Sequence, residues 1–153
     1  MAIEKTNVTD PFKHLEENHA YVSEIFRKIG ETSAGADAER TELFTRLKDA
    51  LTLHAELEEN TLYPLLKEKE ETRDLAFEAA EEHQLVKTML SEISGLDPTA
   101  EEWDAQVAVL KENVEHHVQE EEGDMFLKAR EALTKKEQDA LAADMTSFLE
   151  RNA

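Results

Sequence analysis

The sequence contains no cysteine, and only four glycines and three prolines among its 153 residues. The missing thiols exclude disulfides and cysteine-ligated metal sites. Few glycines, few prolines and few β-branched runs argue against a sheet. No apolar run is long enough to cross a bilayer, and residues 1–7 lack the apolar run of a signal peptide. We therefore expect a single-domain cytoplasmic protein with no membrane partner.

Basic residues are also scarce, with 17 lysines and arginines against 36 aspartates and glutamates and a net charge of −19. Such a charge repels nucleic acids and anionic membranes, so we expect no nucleic-acid partner. It attracts cations, although most of the acidic side chains are expected simply to cover solvated helix faces.

Apolar residues recur at helical spacing along most of the chain, which predicts an all-α protein. Four long helices with short loops, over about residues 10–130, predict an up-down-up-down four-helix bundle. A short fifth helix at about 134–150 is expected to pack on the bundle or to lie between subunits. The whole chain, residues 1–153, is then one domain.

Capping residues mark several of the predicted helix starts. Asp10 is the expected N-cap of the first helix, with proline in the first turn. Thr134 with Glu137 matches a capping box at the fifth helix, and Thr99 with Glu102 matches one at the fourth.

Six polar residues stand where the helical stripes call for apolar ones, and burying them without partners would cost several kcal/mol. They are His19, His54, Glu58, His83, His117 and Glu121. Each long helix contributes one of the histidines, and each glutamate follows a histidine by one turn. A metal ion is a partner that uses imidazole and carboxylate together. The alternative is a purely structural bundle in which hydrogen bonds satisfy the histidines.

The two halves of the chain repeat this pattern. His54 is followed by two glutamates, a leucine and Tyr63, and His117 is followed at the same offsets by two glutamates, a methionine and Phe126. A leading histidine precedes each of these runs at nearly the same distance. The chain therefore reads as two helical hairpins that each offer a histidine and then His-x-x-x-Glu.

Other polar residues near this pattern have weaker claims to ligand roles. His14 and His116 fall off the stripes and are expected to be exposed or at a rim. Glu122 lies about 140° around the helix from His117 and is a weaker ligand candidate than its neighbour. Glu82 is expected at the surface, with hydrogen bonding to a ligand histidine as the alternative.

Three further residues of the pattern have structural interpretations. Tyr63 and Trp103 are predicted to be core residues rather than redox residues. Pro64 should bend the second helix or remove one hydrogen bond just beyond the ligand pair.

Four imidazoles and two carboxylates are too many for one structural zinc. Mixed nitrogen and oxygen donors suit iron, manganese or zinc better than calcium or magnesium. Two ions sharing two bridging glutamates would receive about eight protein bonds of the roughly twelve that two octahedral ions need. An oxo or hydroxo bridge would add two, which leaves about two positions for water, dioxygen, peroxide or nitric oxide.

Residues 53–64, together with His19, Glu82 followed by His83, and residues 117–122, resemble the hemerythrin-like, or HHE cation-binding, family. The resemblance implies a four-helix bundle with a non-haem di-iron centre. The implied cofactor is two iron ions, bridged by oxo or hydroxo, and the implied ligands are the six residues named above. Oxygen-carrying hemerythrins have a second histidine four residues away on the third helix. Here those positions are Ala79 and Lys87, so we expect a more open site rather than reversible oxygen transport.

The open positions and the resemblance predict a protein that binds or reacts with a small oxidant or gas, namely peroxide, dioxygen or nitric oxide. Stress response, redox physiology or iron homeostasis is the implied setting, and catalase-like consumption of peroxide is the candidate enzymatic activity. The alternative is a regulatory module whose metal site senses iron or ligand status. Such a module would signal to a protein partner, or through a homodimer formed by the C-terminal helix.

Overall fold

A computed structural model of the chain describes residues 6–153. The expected absence of a signal peptide rests on residues 1–7, most of which lie outside the described residues. The described part is helical between short loops and contains no strand. Its helices are α1 (Pro11–Gly30), α2 (Asp37–Leu57), α3 (Tyr63–Lys67), α4 (Arg73–Ser94), α5 (Glu101–Glu120), α6 (Phe126–Ala132) and α7 (Lys135–Arg151).

The bundle consists of four long continuous helical rods, and two of these rods contain a π-helical turn between two α-helices. The turn Glu58–Leu62 joins α2 to α3, and the turn Glu121–Met125 joins α5 to α6. These two rods, with α1 and α4, form the four-helix bundle, and α7 is the short fifth helix. None of the helices described in residues 6–153 is long and apolar enough to cross a membrane.

Two of the three predicted caps are confirmed. The Asp10 side chain accepts hydrogen bonds from two amides of the first turn of α1, and Thr134 forms the capping box with Glu137. The capping box at Thr99 is wrong, because α5 begins two residues later and its N-cap, Ala100, has no side-chain bond. Asp97 Oδ1 accepts from both the amide and the hydroxyl of Thr99, at 2.9 and 2.7 Å, so the hydroxyl turns away from the helix.

The distortion expected from Pro64 lies closer to the candidate ligands than predicted. The π-helical turn begins at Glu58 itself rather than beyond it. The second π-helical turn begins at Glu121, although Leu127 takes the place that proline has in the first half. Proline is therefore not required for the turn. In both halves the wider turn begins at the glutamate that points into the bundle, as π-helical turns often do at functional sites.

The core consists of two apolar clusters with a polar layer between them. Along α1, Leu15 belongs to the first cluster and Val22 to the second, and His19 lies between them. In each of the other three long helices, the histidine likewise lies between residues of the two clusters. The polar layer is therefore closed off from solvent above and below by packed apolar side chains.

Helix α7 packs onto the bundle, the first of the two predicted alternatives. Its residues Leu141, Met145 and Phe148 are buried in the first apolar cluster. The segment before α1 lies on the same side, where the Val8 amide donates to Thr146 Oγ1 at 3.0 Å.

At the opposite end of the bundle, Arg40 is buried and ties the loops together. Its Nε donates to Thr32 Oγ1 and its Nη1 to the carbonyl of Pro98, both at 2.8 Å. Its Nη2 lies 3.0 Å from Asp104, and the guanidinium lies over the ring of Trp103 at 4.9 Å. Trp103 is fully buried, as predicted for a core residue.

Candidate metal centre

The six predicted ligand residues meet in the polar layer. All are buried, with exposed fractions between 0 and 7%. They come from α1, α4 and the two rods that contain π-helical turns. The helical periodicity that placed them in apolar stripes therefore directs all of them to one interior region.

The side chains form two donor groups that overlap. Group A consists of His19, His54, Glu58 and Glu121, and group B consists of His83, His117, Glu58 and Glu121. Within each group one donor atom per residue lies within 4.8 Å of the others, close enough to hold one metal ion. Both glutamates belong to both groups.

The carboxylate oxygens of the two glutamates reach toward both groups. Glu121 Oε1 lies 3.0 Å from His19 Nε2, and its Oε2 lies 3.3 Å from His117 Nε2. Glu58 Oε1 lies 3.2 Å from His54 Nε2 and 3.1 Å from His83 Nε2. Each of the two carboxylates therefore lies close to one imidazole of group A and one of group B.

Three buried side-chain atoms of residues 6–153 lack a hydrogen bond, one of them Asn18 Nδ2 at the edge of the centre. The other two are candidate metal-ligand atoms, Glu58 Oε2 and His117 Nε2. The latter is 3.3 Å from Glu121 Oε2, but it is not aligned for a hydrogen bond. An unsatisfied buried polar atom costs about 1–3 kcal/mol, and a metal ion would remove that cost at both atoms. The donor set therefore fits a metal better than it fits a purely structural hydrogen-bond network.

Each imidazole points Nε2 into the centre and holds a partner at Nδ1, which we call its outer partner. Such partners set the tautomer and orientation of metal-binding histidines. The pairs are His19 with Glu122 at 2.6 Å, His54 with Asn18 at 3.0 Å, His83 with Glu59 at 2.8 Å, and His117 with Glu82 at 2.6 Å.

The outer partners correct one prediction and refine another. Glu82 was expected at the surface, but its Oε1 accepts from His117, so the alternative interpretation holds. Glu122 is in neither donor group, which agrees with its weaker claim as a ligand, yet it is the outer partner of His19. Spacing along one helix could not show this, because each partner lies on a different helix from its histidine.

The two remaining histidines differ from each other. His116 has a side chain that is 66% exposed, as predicted, and lies 2.9 Å from Glu120. His14 is 4% exposed, so its expected rim position is wrong. Residues 7–10, before α1, line the same surface cavity as His14, and Val8 among them is buried and bonded to α7.

Tyr63 is buried as predicted, but its hydroxyl belongs to the centre. The hydroxyl donates to Glu121 Oε2 at 2.6 Å and lies 3.1 Å from Glu58 Oε1 and 3.2 Å from His83 Nε2. Its oxygen is a further candidate donor beside group B. The signal in the sequence was the alignment of Tyr63 with Phe126 in the repeat, which differ only by this hydroxyl.

The charges of the centre shift its pKa values strongly. Burial by itself lowers the pKa of His54, but the charges and hydrogen bonds of Glu58 and Glu121 outweigh it and raise the pKa to about 9. Burial and Glu58 raise the pKa of Glu121, but His117 and His19 outweigh them and lower it to about 2. Without a metal, the imidazoles of His54, His83 and His117, whose pKa values are all raised, therefore act as counter-ions of the two buried carboxylates.

A small apolar cavity of about 30 Å³ lies against the imidazoles. Its other walls are mainly aliphatic, formed by Val22, Leu51, Leu90, Val114 and neighbouring residues. About 10–15 Å³ of such volume is enough for one water molecule, so the cavity has room for a ligand of about the size of one or two water molecules.

Comparison with known proteins decides the family. The family model of the Hemerythrin HHE cation binding domain matches residues 10–129. The chain belongs to this family. The resemblance inferred from the six-residue pattern is thereby confirmed, and the His/Glu cluster supplies the candidate metal site of the HHE domain.

A solved structure shares the fold of this HHE domain. It is a Hemerythrin HHE cation binding domain-containing protein, the Rv2633c homolog from Mycobacterium kansasii. The two align with a TM-score of 0.80 and 27% identity, over 94% of this chain and 86% of that chain. The predicted all-α bundle with a short C-terminal helix is confirmed.

A relative of a different kind is a DNA nickase from Nostoc sp. (strain PCC 7120 / SAG 25.82 / UTEX 2576). It is 31% identical over 106 residues, which is 67% of this chain. The match covers 29% of the length of that protein.

Proposed function

We propose that this HHE domain is a non-haem di-iron protein that binds or reacts with peroxide, dioxygen or nitric oxide. The observation that carries the proposal is the pair of overlapping donor groups sharing Glu58 and Glu121. Bound iron would supply Lewis acidity and redox chemistry to a small ligand. The chain would hold the ions, orient the imidazoles and exclude bulk water.

The positions around His83 support an open centre. Ala79 offers no donor atom, and Lys87 Nζ is 2.9 Å from Glu59 Oε1. Neither residue belongs to a donor group. The centre then has fewer histidine donors than the oxygen-carrying hemerythrins. The adjacent apolar cavity admits ligands of diatomic or peroxide size.

The DNA nickase relative does not alter the proposal. Its match with this chain covers less than a third of that protein. The net charge of −19 opposes contact with a phosphate backbone. We therefore propose no nucleic-acid partner, and a role in the cytoplasm in stress, redox or iron physiology.

The regulatory alternative has weaker support. A partner or a second copy binding through α7 would need an apolar face, and the described α7 uses Leu141, Met145 and Phe148 within its own chain. Exposed large apolar residues of the described chain are single residues on other helices.

The test is iron content per chain after expression with iron, together with near-ultraviolet and visible absorption. About two irons are expected, and His54→Ala and Glu58→Ala should each lose iron and absorption. His116→Ala is the matched control at an exposed histidine: it lies outside groups A and B, in a separate, largely exposed cluster with Glu82 and Glu120, and should keep two irons. No metal, or a single zinc, would contradict the di-iron centre.

The functional half of the proposal needs its own measurement. Fully iron-loaded protein is mixed in turn with hydrogen peroxide, dioxygen and nitric oxide, while absorption and oxygen release are followed. A spectral change or turnover with at least one of them is expected, and its loss in His54→Ala would support the assignment. No response to any of the three would overturn it, even with two irons bound.

A further inference from the structure

The internal repeat extends from the candidate ligands to their outer partners. The residue before each leading histidine supports the second histidine of the same half: Asn18 bonds His54, and Glu82 bonds His117. Residue 18 and residue 82 are therefore structurally equivalent. One is a neutral amide and the other is a carboxylate.

The other pair of outer partners keeps the symmetry. The residue after each shared glutamate supports the leading histidine of the opposite half, so that Glu59 bonds His83 and Glu122 bonds His19. Both are carboxylates and both are partly exposed. Lys87 bonds Glu59 and offsets part of its charge. Taken alone, this pair therefore favours group A slightly, because the outer partner of His83 is the one whose charge a lysine offsets.

A second break in the symmetry lies at the residue that begins the helix after each π-helical turn. Tyr63 and Phe126 are equivalent in the repeat. The Phe126 ring stacks on His19 of group A, with centroids 6.1 Å apart and planes at 5°. The Tyr63 ring lies 5.2 Å from His83 of group B, and its hydroxyl adds an oxygen to that side.

Both breaks favour the same group. A carboxylate at Nδ1 makes the imidazole a stronger donor than an amide does, because it draws on the Nδ1 proton. Group B has two imidazoles with carboxylate partners and the Tyr63 oxygen beside it. Group A has one such imidazole, with Asn18 on the other and a phenyl ring in place of the phenol.

We propose that the two metal positions differ in affinity because the residues around them differ. Group B binds its metal ion first, and group A holds the weaker, more exchangeable ion. Glu82 and Tyr63 are the residues that strengthen group B, and Asn18 is the positioning residue that leaves group A weaker. This inference rests on the proposed two-metal centre.

The test is a calorimetric titration of metal-free protein with Co²⁺, comparing wild type with the Glu82→Gln, Tyr63→Phe double variant. The double variant gives group B the amide and phenyl that group A already has. We expect the tighter step to weaken at least tenfold, in the range of about 10–100-fold that losing such partners costs. The weaker step should change less than the tighter one, because group A keeps both of its outer partners and loses only the Tyr63 contact to the shared glutamates.

The matched control is Glu150→Gln, which alters an exposed carboxylate of α7 that lies in none of the His/Glu clusters found in residues 6–153. Both of its steps should equal those of wild type. Thermal unfolding of the metal-free variants, followed by circular dichroism, shows that each one is folded. In the reciprocal variant, Asn18→Asp, we expect a tighter weak step and an unchanged strong one.

A double variant that weakens only the weaker step, or neither step, would overturn the inequality while leaving the two-metal centre intact. Wild-type protein that binds one Co²⁺, or none, would overturn the two-metal centre and the inequality with it. The two failures are therefore distinguishable in a single titration.

Discussion

The hydroxyl of Tyr63 donates a hydrogen bond of 2.6 Å to Oε2 of Glu121 and so ties the first half of the chain to the shared carboxylate of the second. Burial raises the pKa of Tyr63 well above its usual value, and the charges of Glu58 and Glu121 raise it further. In the metal-free chain the phenol therefore keeps its proton and donates it.

Removing that hydroxyl should destabilise the metal-free protein. In Tyr63→Phe the buried Glu121 Oε2 loses its donor, which costs about 1–3 kcal/mol. Urea unfolding in the presence of a chelator measures the loss. Tyr21→Phe is the control, since Tyr21 lies in neither donor group, and should change stability by less than about 0.5 kcal/mol. Equal losses in the two variants would contradict the role given to the Tyr63 hydroxyl.

Stability and metal affinity should respond oppositely to pH. The raised pKa of His54 contributes stability to the metal-free chain that is complete below 6.5 and is lost as pH rises through about 9. The lowered pKa of Glu121 contributes stability that is present above 4.5 and is lost as pH falls toward about 2. A metal must displace the His54 proton, so affinity rises with pH over the range in which metal-free stability falls.

Unfolding in the presence of a chelator, at pH 6.5 and pH 8, measures how metal-free stability depends on pH. Titration with Co²⁺ at the same two pH values measures how metal affinity depends on pH. Metal-free stability should be lower at pH 8, and Co²⁺ affinity should be higher. His116→Ala should keep both pH dependences, because this histidine is outside the centre. Retention of full metal stoichiometry at pH 4 would refute the coupling between metal and protons.

Arg40 should matter for stability but not for the metal. Arg40→Ala removes the bonds that the buried guanidinium donates to Thr32 and Pro98, both half-buried, and hydrogen bonds from a charged group contribute more than neutral ones, so we expect a loss of about 1–3 kcal/mol. Arg46→Ala is the control, since Arg46 makes an exposed ion pair within α2 that contributes at most about 1 kcal/mol. Thermal unfolding and metal content are measured together. A change in metal stoichiometry in Arg40→Ala would show that this end is coupled to the centre.

Helix α7 should behave as part of the core. Met145 is fully buried in the first apolar cluster, so Met145→Ala should cost about 2–5 kcal/mol. Leu127→Ala removes a side chain that is 58% exposed and should stay within about 0.5 kcal/mol. Urea unfolding compares them. A loss in Met145→Ala no larger than the control would mean that α7 is not integrated into the bundle in solution.

Pro64 should be dispensable for the centre. Because the second π-helical turn forms with Leu127 at the equivalent position, Pro64→Ala should keep the metal content and absorption of the wild type. The expected stability change is within about 1 kcal/mol, as for other proline substitutions that the backbone accommodates. Loss of metal in Pro64→Ala would instead show that the first turn depends on its proline.

The inner donors could be predicted because they are encoded locally. His54 and Glu58 are four residues apart, and helical geometry alone places them on one face. Their place in an apolar stripe then implies burial. The same reasoning located all six residues that the structure brings together. It also predicted Thr134 as a cap, because a capping box involves residues only three apart.

The outer partners could not be predicted in this way. Glu82 and His117 lie on different helices, and whether they meet depends on the axial shift and rotation of α4 against α5. Those quantities follow from side-chain packing across the whole interface, which no single helix encodes. The burial of His14 could not be predicted either, because spacing within α1 does not show which tertiary contacts form around residue 14.

Periodicity and charge pattern, which act within a helix, were sufficient to predict the bundle, its family and the six side chains that meet inside it. Tertiary packing decided that the π-helical turns begin at Glu58 and Glu121 and that the Tyr63 hydroxyl enters the centre. It also decided that Asn18 and Glu82 are equivalent outer partners, of His54 and His117 respectively. The reason is physical: a helix repeats every 3.6 residues whatever surrounds it, whereas the contact between two helices exists only once both have packed.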